Sequence, residues 1–168
     1  MITVLPLAET HFDELYHVLD TVAREQRFLA LTQAPSKENT FAFYRSVLKD
    51  GQCHVAMQNG KVVGWCDILP SFGEARQHVG TLGIGLLPSA RHQGIGRQLM
   101  QAAIETAWNR GLTRIELTVR EDNHNAKQLY EQFRFETEGL RRNSMLIDGQ
   151  YFHCYAMALL RNENLVCK

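Results

Sequence analysis

A short glycine-rich segment, Arg91 to Gly96, constrains the fold more than any other feature of this chain. The stretch before it, His78 to Leu87, predicts a strand, and the apolar spacing after it predicts a helix from Ile95 that Gly111 closes in a left-handed conformation. Glycines let the backbone turn sharply and expose the first N–H groups of the helix to an anion. The segment therefore predicts a phosphate or pyrophosphate site between a strand and a helix.

The absence of two other phosphate-binding motifs narrows the choice of ligand. No Gly-Lys-Ser/Thr ending is present, which disfavours a nucleoside-triphosphate loop, and the three-glycine dinucleotide fingerprint is absent as well. Arg91 and Arg97 flank the turn and would add positive charge to it. The glycines alone are also compatible with a purely structural role, in which Gly94 and Gly96 let the helix and the strand pack closely.

Two helices are predicted before most of the strands. Thr10 is the expected N-cap of the first, which should end near Arg24, and Pro35-Ser36 should begin the second, with an apolar face that extends to Leu48. The Asn59-Gly60 dipeptide then predicts a tight hairpin turn. It joins two strands, Cys53 to Met57 and Lys61 to Leu69.

The second half of the chain predicts a strand, a helix and a strand pair. Thr113 to Val119 alternates apolar and charged residues, and with the preceding strand and helix it completes a right-handed crossover unit. Asn123 should cap a further helix. The last two strands, joined through Asp148-Gly149, are predicted over Phe135 to Leu140 and Tyr151 to Leu160, with a polar, frayed tail from Arg161.

Bulk properties predict one domain over residues 1–168, with 45% hydrophobic residues to form its core. Eighteen basic residues balance eighteen acidic ones, so neither nucleic acid nor an anionic membrane is an expected partner. The stretch from Met1 to Pro6 lacks the features of a signal peptide, and no run is long enough to cross a bilayer, so we expect a cytoplasmic protein. The four cysteines are expected to be free thiols and the seven histidines lack metal-ligand spacing, so no metal is predicted.

The stretch from Ile84 to Leu99 resembles the acetyl-coenzyme A segment of the GNAT superfamily of N-acetyltransferases. In that family Arg/Gln-x-x-Gly-x-Gly/Ala follows the central strand. A second family element is also present, with Asn123, Ala126, Leu129 and Tyr130 at their usual spacing and Phe135 after them. The resemblance implies an α/β (α+β) fold, with a mixed, mostly antiparallel central sheet flanked by helices and a strand-helix-strand coenzyme A site.

The resemblance also implies roles for particular residues. Backbone groups near Ile84 and Leu86 would hydrogen bond the pantetheine arm, Asn123 would reach its side, and Tyr130 would lie close to the thioester sulfur. The pyrophosphate would be held by the amides of His92, Gln93, Gly94, Ile95, Gly96 and Arg97, and Arg91 is predicted to bind the cofactor through its charge. The sequence departs from the family at Arg134, where a glycine usually precedes the phenylalanine, and this puts the local turn in doubt.

Acetyl transfer needs a neutral amine and an acid for the departing thiolate. A lysine-type amine has a reference pKa of about 10.4 and an α-amino group only about 7.7–8.0, so an α-amine needs less help. Tyr130 is the predicted general acid, although a tyrosine on that helix face could equally fill the core. Glu25, His78 or a water chain is the candidate base, and a structural role is the alternative for both side chains.

The acceptor is predicted on weaker grounds. Blocks around Arg114 to Asn123 and around Asp148 to Tyr151 look most like bacterial members that acetylate free amino acids or other small amines. The loop from Arg24 to Leu29 would supply charge and an aromatic wall to such a substrate, or pack on the core. Alternatives are acetylation of a protein N-terminus or ribosomal protein, a longer acyl chain, and a non-catalytic coenzyme A sensor. Homodimers are frequent in the family, but no feature here specifies an interface.

Overall fold

The computed structural model describes residues 1–161, which form seven strands and four α-helices. The helices are α1 (Phe12–Arg24), α2 (Lys37–Ser46), α3 (Ile95–Asn109) and α4 (His124–Gln132). The strands are β1 (Ile2–Pro6), β2 (Cys53–Gln58), β3 (Lys61–Pro70), β4 (Val79–Leu86), β5 (Arg114–Arg120), β6 (Glu136–Ile147) and β7 (Gln150–Leu160). They form one sheet in the order β1-β2-β3-β4-β5-β7-β6, which is the predicted mixed, mostly antiparallel sheet.

The chain divides into two compact units within β4. The first contains residues 1–69 and 83–110, and the second contains residues 70–82 and those from Gly111 onward. A single domain over residues 1–168 stays a prediction.

The first unit is built on the two antiparallel pairs β1–β2 and β2–β3. Asn59 and Gly60 both have positive φ, 52° and 76°, so the predicted hairpin turn is confirmed. The core of this unit packs residues of α1 and α2 against β2 and β3, and its largest members are Phe12, Leu15, Val22, Tyr44 and Trp65.

Two expectations for the first unit are wrong or incomplete. Thr10 does not cap α1, because a 3₁₀ turn over Glu9–His11 precedes the helix and the Ala8 N–H instead donates to His11 Nδ1 at 3.1 Å. The short edge strand β1 is absent from the sequence prediction. Ser36, by contrast, caps α2 as predicted by accepting the Asn39 N–H at 3.2 Å, although α2 ends at Ser46, before Leu48.

The second unit pairs β5 in parallel with the start of β4 and antiparallel with β7, and β7 with β6. Ile115, Leu117 and Val119 are buried along β5, as the alternation predicts. β6 is longer than expected, running to Ile147 rather than to Leu140. Most of β6 is exposed, so its polar second half carries no apolar periodicity from which a strand would be predicted.

Within residues 1–161, no helix is long and apolar enough to span a bilayer. Cys53, Cys66 and Cys154 are buried free thiols, as expected. Cys167 and the tail predicted after Arg161 lie outside the described residues.

Arg134 occupies the position at which the resemblance implies glycine, and it adopts the left-handed conformation that glycine favours, with φ of 67°. The turn nevertheless forms completely. The Arg134 N–H donates to the Glu131 carbonyl at 2.9 Å and the Phe135 N–H donates to the Tyr130 carbonyl at 3.1 Å. These two bonds define a Schellman motif after α4, so the turn forms without the glycine. Arg134 adopts the left-handed conformation that is unfavourable for a residue with a Cβ.

We expect Arg134→Gly to raise the free energy of unfolding by about 0.5–1 kcal/mol, because it removes the left-handed strain of an exposed residue. Urea denaturation measures this change. Arg134→Ala is the matched control, since it removes the same side chain but keeps the Cβ, and it should give no gain. A loss of stability in Arg134→Gly would contradict the interpretation.

Candidate active site

The glycine-rich turn follows β4 and leads into α3. His92 and Gly94 both have positive φ, 61° and 77°, and Gly94 is the N-cap of the helix. The Gln98 N–H donates to the Gly94 carbonyl at 3.3 Å, which closes the first turn. Left-handed residues in such a turn direct backbone N–H groups into one concavity, and the N-terminus of a 15-residue helix adds a positive dipole end. The predicted order of strand, glycine turn and helix is therefore present, and anion binding by the turn stays a prediction.

Side chains hold this turn in place. The Gln93 amide donates to the Ser89 carbonyl at 2.7 Å, and the Gln58 amide on β2 donates to Gln93 Oε1 at 2.9 Å. Ile95 is 1% exposed and Gly96 is also buried, which anchors the first turn of α3 to the core. The exposed positions of the segment, His92, Gln93 and Gly94, are those that face a ligand or solvent.

Arg91 plays a different part from the one expected. Its guanidinium makes two parallel hydrogen bonds to the Glu25 carboxylate, at 2.9 and 2.5 Å, and it also donates to the Leu86 carbonyl at 3.1 and 2.9 Å. The guanidinium carbon lies 4.6 Å from the ring centroid of Phe28. Arg91 thus ties the segment after α1 to the end of β4, and its charge is matched by Glu25 rather than left for a phosphate.

These contacts also bear on the candidate bases. Both oxygens of Glu25 accept from Arg91, so the carboxylate is already held in a bidentate ion pair. His78 is exposed and precedes β4, at the end of the strand remote from the glycine-rich turn. Phe28, part of the predicted aromatic wall, packs against Arg91. The structure therefore favours structural roles for all three side chains.

Trp65 and Asp67 of β3 lie across two glycines of β4, and the sequence prediction missed both. A Cβ at Gly85 would come within 2.3 Å of the Trp65 ring, and one at Gly83 would lie 3.0 Å from Asp67 Oδ1. Glycine inside a strand often marks such a close approach. The spacing of Gly83 and Gly85 within a predicted strand was thus the one signal that could have indicated large side chains on the neighbouring strand.

Asp67 is a carboxylic acid whose ionisation is altered by its surroundings at this site. Burial raises its pKa to about 7, against hydrogen bonds from the Trp65 side chain and the Gly83 backbone that favour the carboxylate. The Tyr44 and Cys53 side chains face it, and burial raises the pKa of each of them too. Asp67 borders a cavity of about 560 Å³, which we call the apolar cavity and which is lined by residues of the first unit.

Ile84 lies on β4 in the first unit, whereas the predicted site residues Asn123 and Tyr130 lie in the second unit. Asn123 Oδ1 accepts the Ala126 N–H at 3.3 Å, so its predicted role as the N-cap of α4 is confirmed. Tyr130 is 6% exposed and its ring centroid lies 6.0 Å from that of Phe135. Their predicted contacts with a cofactor stay predictions. Among residues 1–161, no group of three or more histidine, cysteine or acidic side chains is arranged to hold a metal ion.

Comparisons with known proteins agree with this geometry. Residues 13–135 match the Acetyltransferase (GNAT) family. The L-amino acid N-acetyltransferase AaaT of Escherichia coli K12 is 36% identical over 64% of this chain and 67% of its own length. The ribosomal protein bS18-alanine N-acetyltransferase of the same organism is 30% identical over 85% of this chain and 86% of its own.

A similar fold occurs in a GNAT superfamily phosphinothricin acetyltransferase from Sinorhizobium meliloti, solved in complex with acetyl-coenzyme A. The TM-score is 0.91 at 17% identity, covering 99% of this chain and 92% of that one.

The raised pKa of Asp67 predicts a pH-dependent cost to stability. The folded state holds the proton up to about pH 7 and the unfolded chain releases it near pH 4, so the free energy of unfolding should fall as the pH rises between these values. Relative to Asp67→Asn, the wild type should lose about 2–4 kcal/mol over this window.

Urea denaturation at half-unit pH steps measures this difference. Asp148→Asn, at an exposed hairpin turn, is the matched control and should follow the wild-type curve. Parallel curves for Asp67→Asn and the wild type would show that Asp67 ionises in the folded protein as it does in water.

Proposed function

Because the chain belongs to the GNAT acetyltransferase family, we propose that it transfers the acetyl group of acetyl-coenzyme A to the amine of a small molecule, with a free amino acid as one candidate. The observation that carries this proposal is the turn from His92 to Gly96, where left-handed residues and a helix N-terminus form an anion site. The relative that acts on L-amino acids supports the substrate class.

In this proposal the turn holds the pyrophosphate through backbone amides, since Arg91 is engaged by Glu25. The attraction then comes from N–H groups and the helix dipole, and the exposed Arg97 lies next to the turn. The pantetheine arm follows β4 beyond Thr81, the last of the three residues that pair with β5. The Leu86 carbonyl already accepts from Arg91, so Ile84 is the principal backbone partner.

Tyr130 is proposed as the general acid that protonates the departing thiolate, with Asn123 near the pantetheine. The neutral amine attacks the thioester carbonyl, a C–N bond forms and the C–S bond breaks. The nitrogen releases one proton to water, and the sulfur takes the phenolic proton, which the tyrosine recovers from solvent. A largely buried tyrosine on α4 suits this role because its ring packing against Phe135 limits where the hydroxyl can point. The proposal places the reaction in the cytoplasm.

A second candidate is acetylation of an N-terminal alanine on a ribosomal protein. The specific observation in its favour is the relative with that activity, which aligns with 85% of this chain. Release of free thiol from acetyl-coenzyme A, tested with amino acids, other small amines and alanine-starting peptides, separates the two candidates. Coenzyme A binding without thiol release for any acceptor would instead indicate a sensor.

Replacing the phenol tests the proposed acid. We expect Tyr130→Phe to lower kcat by about 100-fold with little change in KM for acetyl-coenzyme A, because only protonation of the leaving group is lost. Thiol release at saturating substrate measures kcat. Tyr151→Phe, at a tyrosine 58% exposed, is the control and should retain activity. Unchanged turnover in Tyr130→Phe would remove the assignment.

Gly94→Ala tests the anion site. We expect it to weaken coenzyme A binding by about tenfold, since a Cβ strains the left-handed turn that directs the amides. Calorimetric titration with coenzyme A measures the affinity.

Gly60→Ala is matched to it, because Gly60 has nearly the same φ and, like Gly94, no atom within 4 Å of the added Cβ. Both variants should lose similar stability, and only Gly94→Ala should lose affinity. Equal affinities would argue that the turn does not bind the cofactor.

A further inference from the structure

The apolar cavity has the size of a small-molecule site, at about 560 Å³. Its walls come from the first unit only, from α1, α2, the segment between them, and strands β2 to β4. They are mainly aliphatic and aromatic, and their largest contributors are Leu15, Leu19, Leu29, Phe43 and Trp65. Such walls fit an apolar chain or ring and exclude a strongly hydrated ligand.

Two polar groups that matter for binding also line this cavity, the Asp67 carboxyl and the Tyr44 hydroxyl. Asp67 lies on β3, and Tyr44, only 4% exposed, lies on α2. The Tyr44 hydroxyl is buried and has no hydrogen-bond partner among residues 1–161. Buried hydroxyls in proteins are nearly always satisfied, so an unpartnered one at a cavity wall points to a ligand group that completes it. Tyr44 and Asp67 line the same cavity, so one ligand could contact both.

The cavity wall includes one carboxyl group and no lysine, arginine or histidine among the described residues that line it. A ligand carboxylate placed there would meet Asp67 without a cation to offset the repulsion. An ammonium group would instead pair with Asp67 and donate to the Tyr44 oxygen, and transfer of one of its protons to the Asp67 carboxylate would leave the neutral amine that the attack needs. A cation would also relieve the cost of burial that raises the pKa of Asp67.

We propose that the apolar cavity binds the acetyl acceptor, that Asp67 and Tyr44 hold its amine, and that the acceptor is a primary amine on an apolar chain or ring without a carboxylate beside the nitrogen. This inference rests on the proposed acetyl transfer and narrows its substrate class. Gly83 borders the cavity and Ile84, the proposed pantetheine partner, follows it directly on β4. The amine and the acetyl donor would thus meet along one strand.

Matched acceptor pairs test the substrate class. Each pair shares an apolar body and differs only in the carboxylate: 2-phenylethylamine with L-phenylalanine, and 3-methylbutylamine with L-leucine. We expect kcat/KM to be at least tenfold higher for the amine of each pair, measured by thiol release from acetyl-coenzyme A. Equal or higher values for the amino acids would overturn the inference.

Isosteric variants test the two residues. We expect Asp67→Asn to raise KM for 2-phenylethylamine at least tenfold and Tyr44→Phe to raise it about threefold, with KM for acetyl-coenzyme A unchanged. Both variants should fold, since Tyr44→Phe removes an unpartnered buried hydroxyl and Asp67→Asn removes a charge whose burial is unfavourable. Asp148→Asn and Tyr151→Phe are the matched controls and should keep wild-type KM. An unchanged amine KM in Asp67→Asn would overturn the assignment.

A binding measurement separates failure of this inference from failure of the proposed function. Differential scanning fluorimetry with 2-phenylethylamine alone should raise the Tm of the wild type but not of Asp67→Asn. One outcome is thiol release with amino acids or alanine-starting peptides but no Tm shift with 2-phenylethylamine. This outcome would contradict the inference about the amine site and would still support acetyl transfer. A Tm shift without thiol release for any acceptor would support the amine site and contradict the proposed function.

Discussion

The interlocking of β3 and β4 is the packing constraint on which the candidate site depends. Glycine alternates with large side chains across this pair of strands: a Cβ at Gly64 would lie 2.4 Å from the Leu86 side chain, and one at Gly85 would lie 2.3 Å from the Trp65 ring. Contacts this short cannot be relieved without moving an aromatic ring or the strand itself. The glycines of β4 therefore leave room for the Trp65 and Asp67 side chains, which line the cavity.

The Arg91 contacts show how the turn can attract a phosphate without a dedicated cation. Because Glu25 neutralises the guanidinium, the positive potential at the turn comes mainly from backbone N–H groups and the dipole of α3. Fixed dipoles do not need to reorganise when the ligand binds. Arg91 instead connects Glu25, just after α1, to Leu86, at the end of β4. One side chain therefore holds the segment after α1, which borders the apolar cavity, against the strand that leads to the turn.

Local chemistry explains which parts could be predicted from the sequence. Ser36, Asn123 and Asn59-Gly60 act through bonds or dihedral angles within a few residues, and each has the predicted role in the structure. β1 and the second half of β6 were missed because they are largely exposed and lack apolar alternation. The altered pKa of Asp67 could not be predicted from the sequence, since it arises from burial in the folded protein and from contacts such as that with the Gly83 backbone on the neighbouring strand.

Asp67 also illustrates why a buried acid is a stronger indication of function than a buried tyrosine. Tyrosine brings a large apolar ring to a core, so Tyr130 can be explained by packing against Phe135 alone. A carboxyl group in an apolar cavity contributes little packing and destabilises the fold when it ionises near neutral pH. An asparagine would fill the same space and accept the same Trp65 and Gly83 hydrogen bonds without that cost. The group that distinguishes aspartate from asparagine is the charge, and a charge facing apolar walls is useful only to a ligand that carries the opposite one.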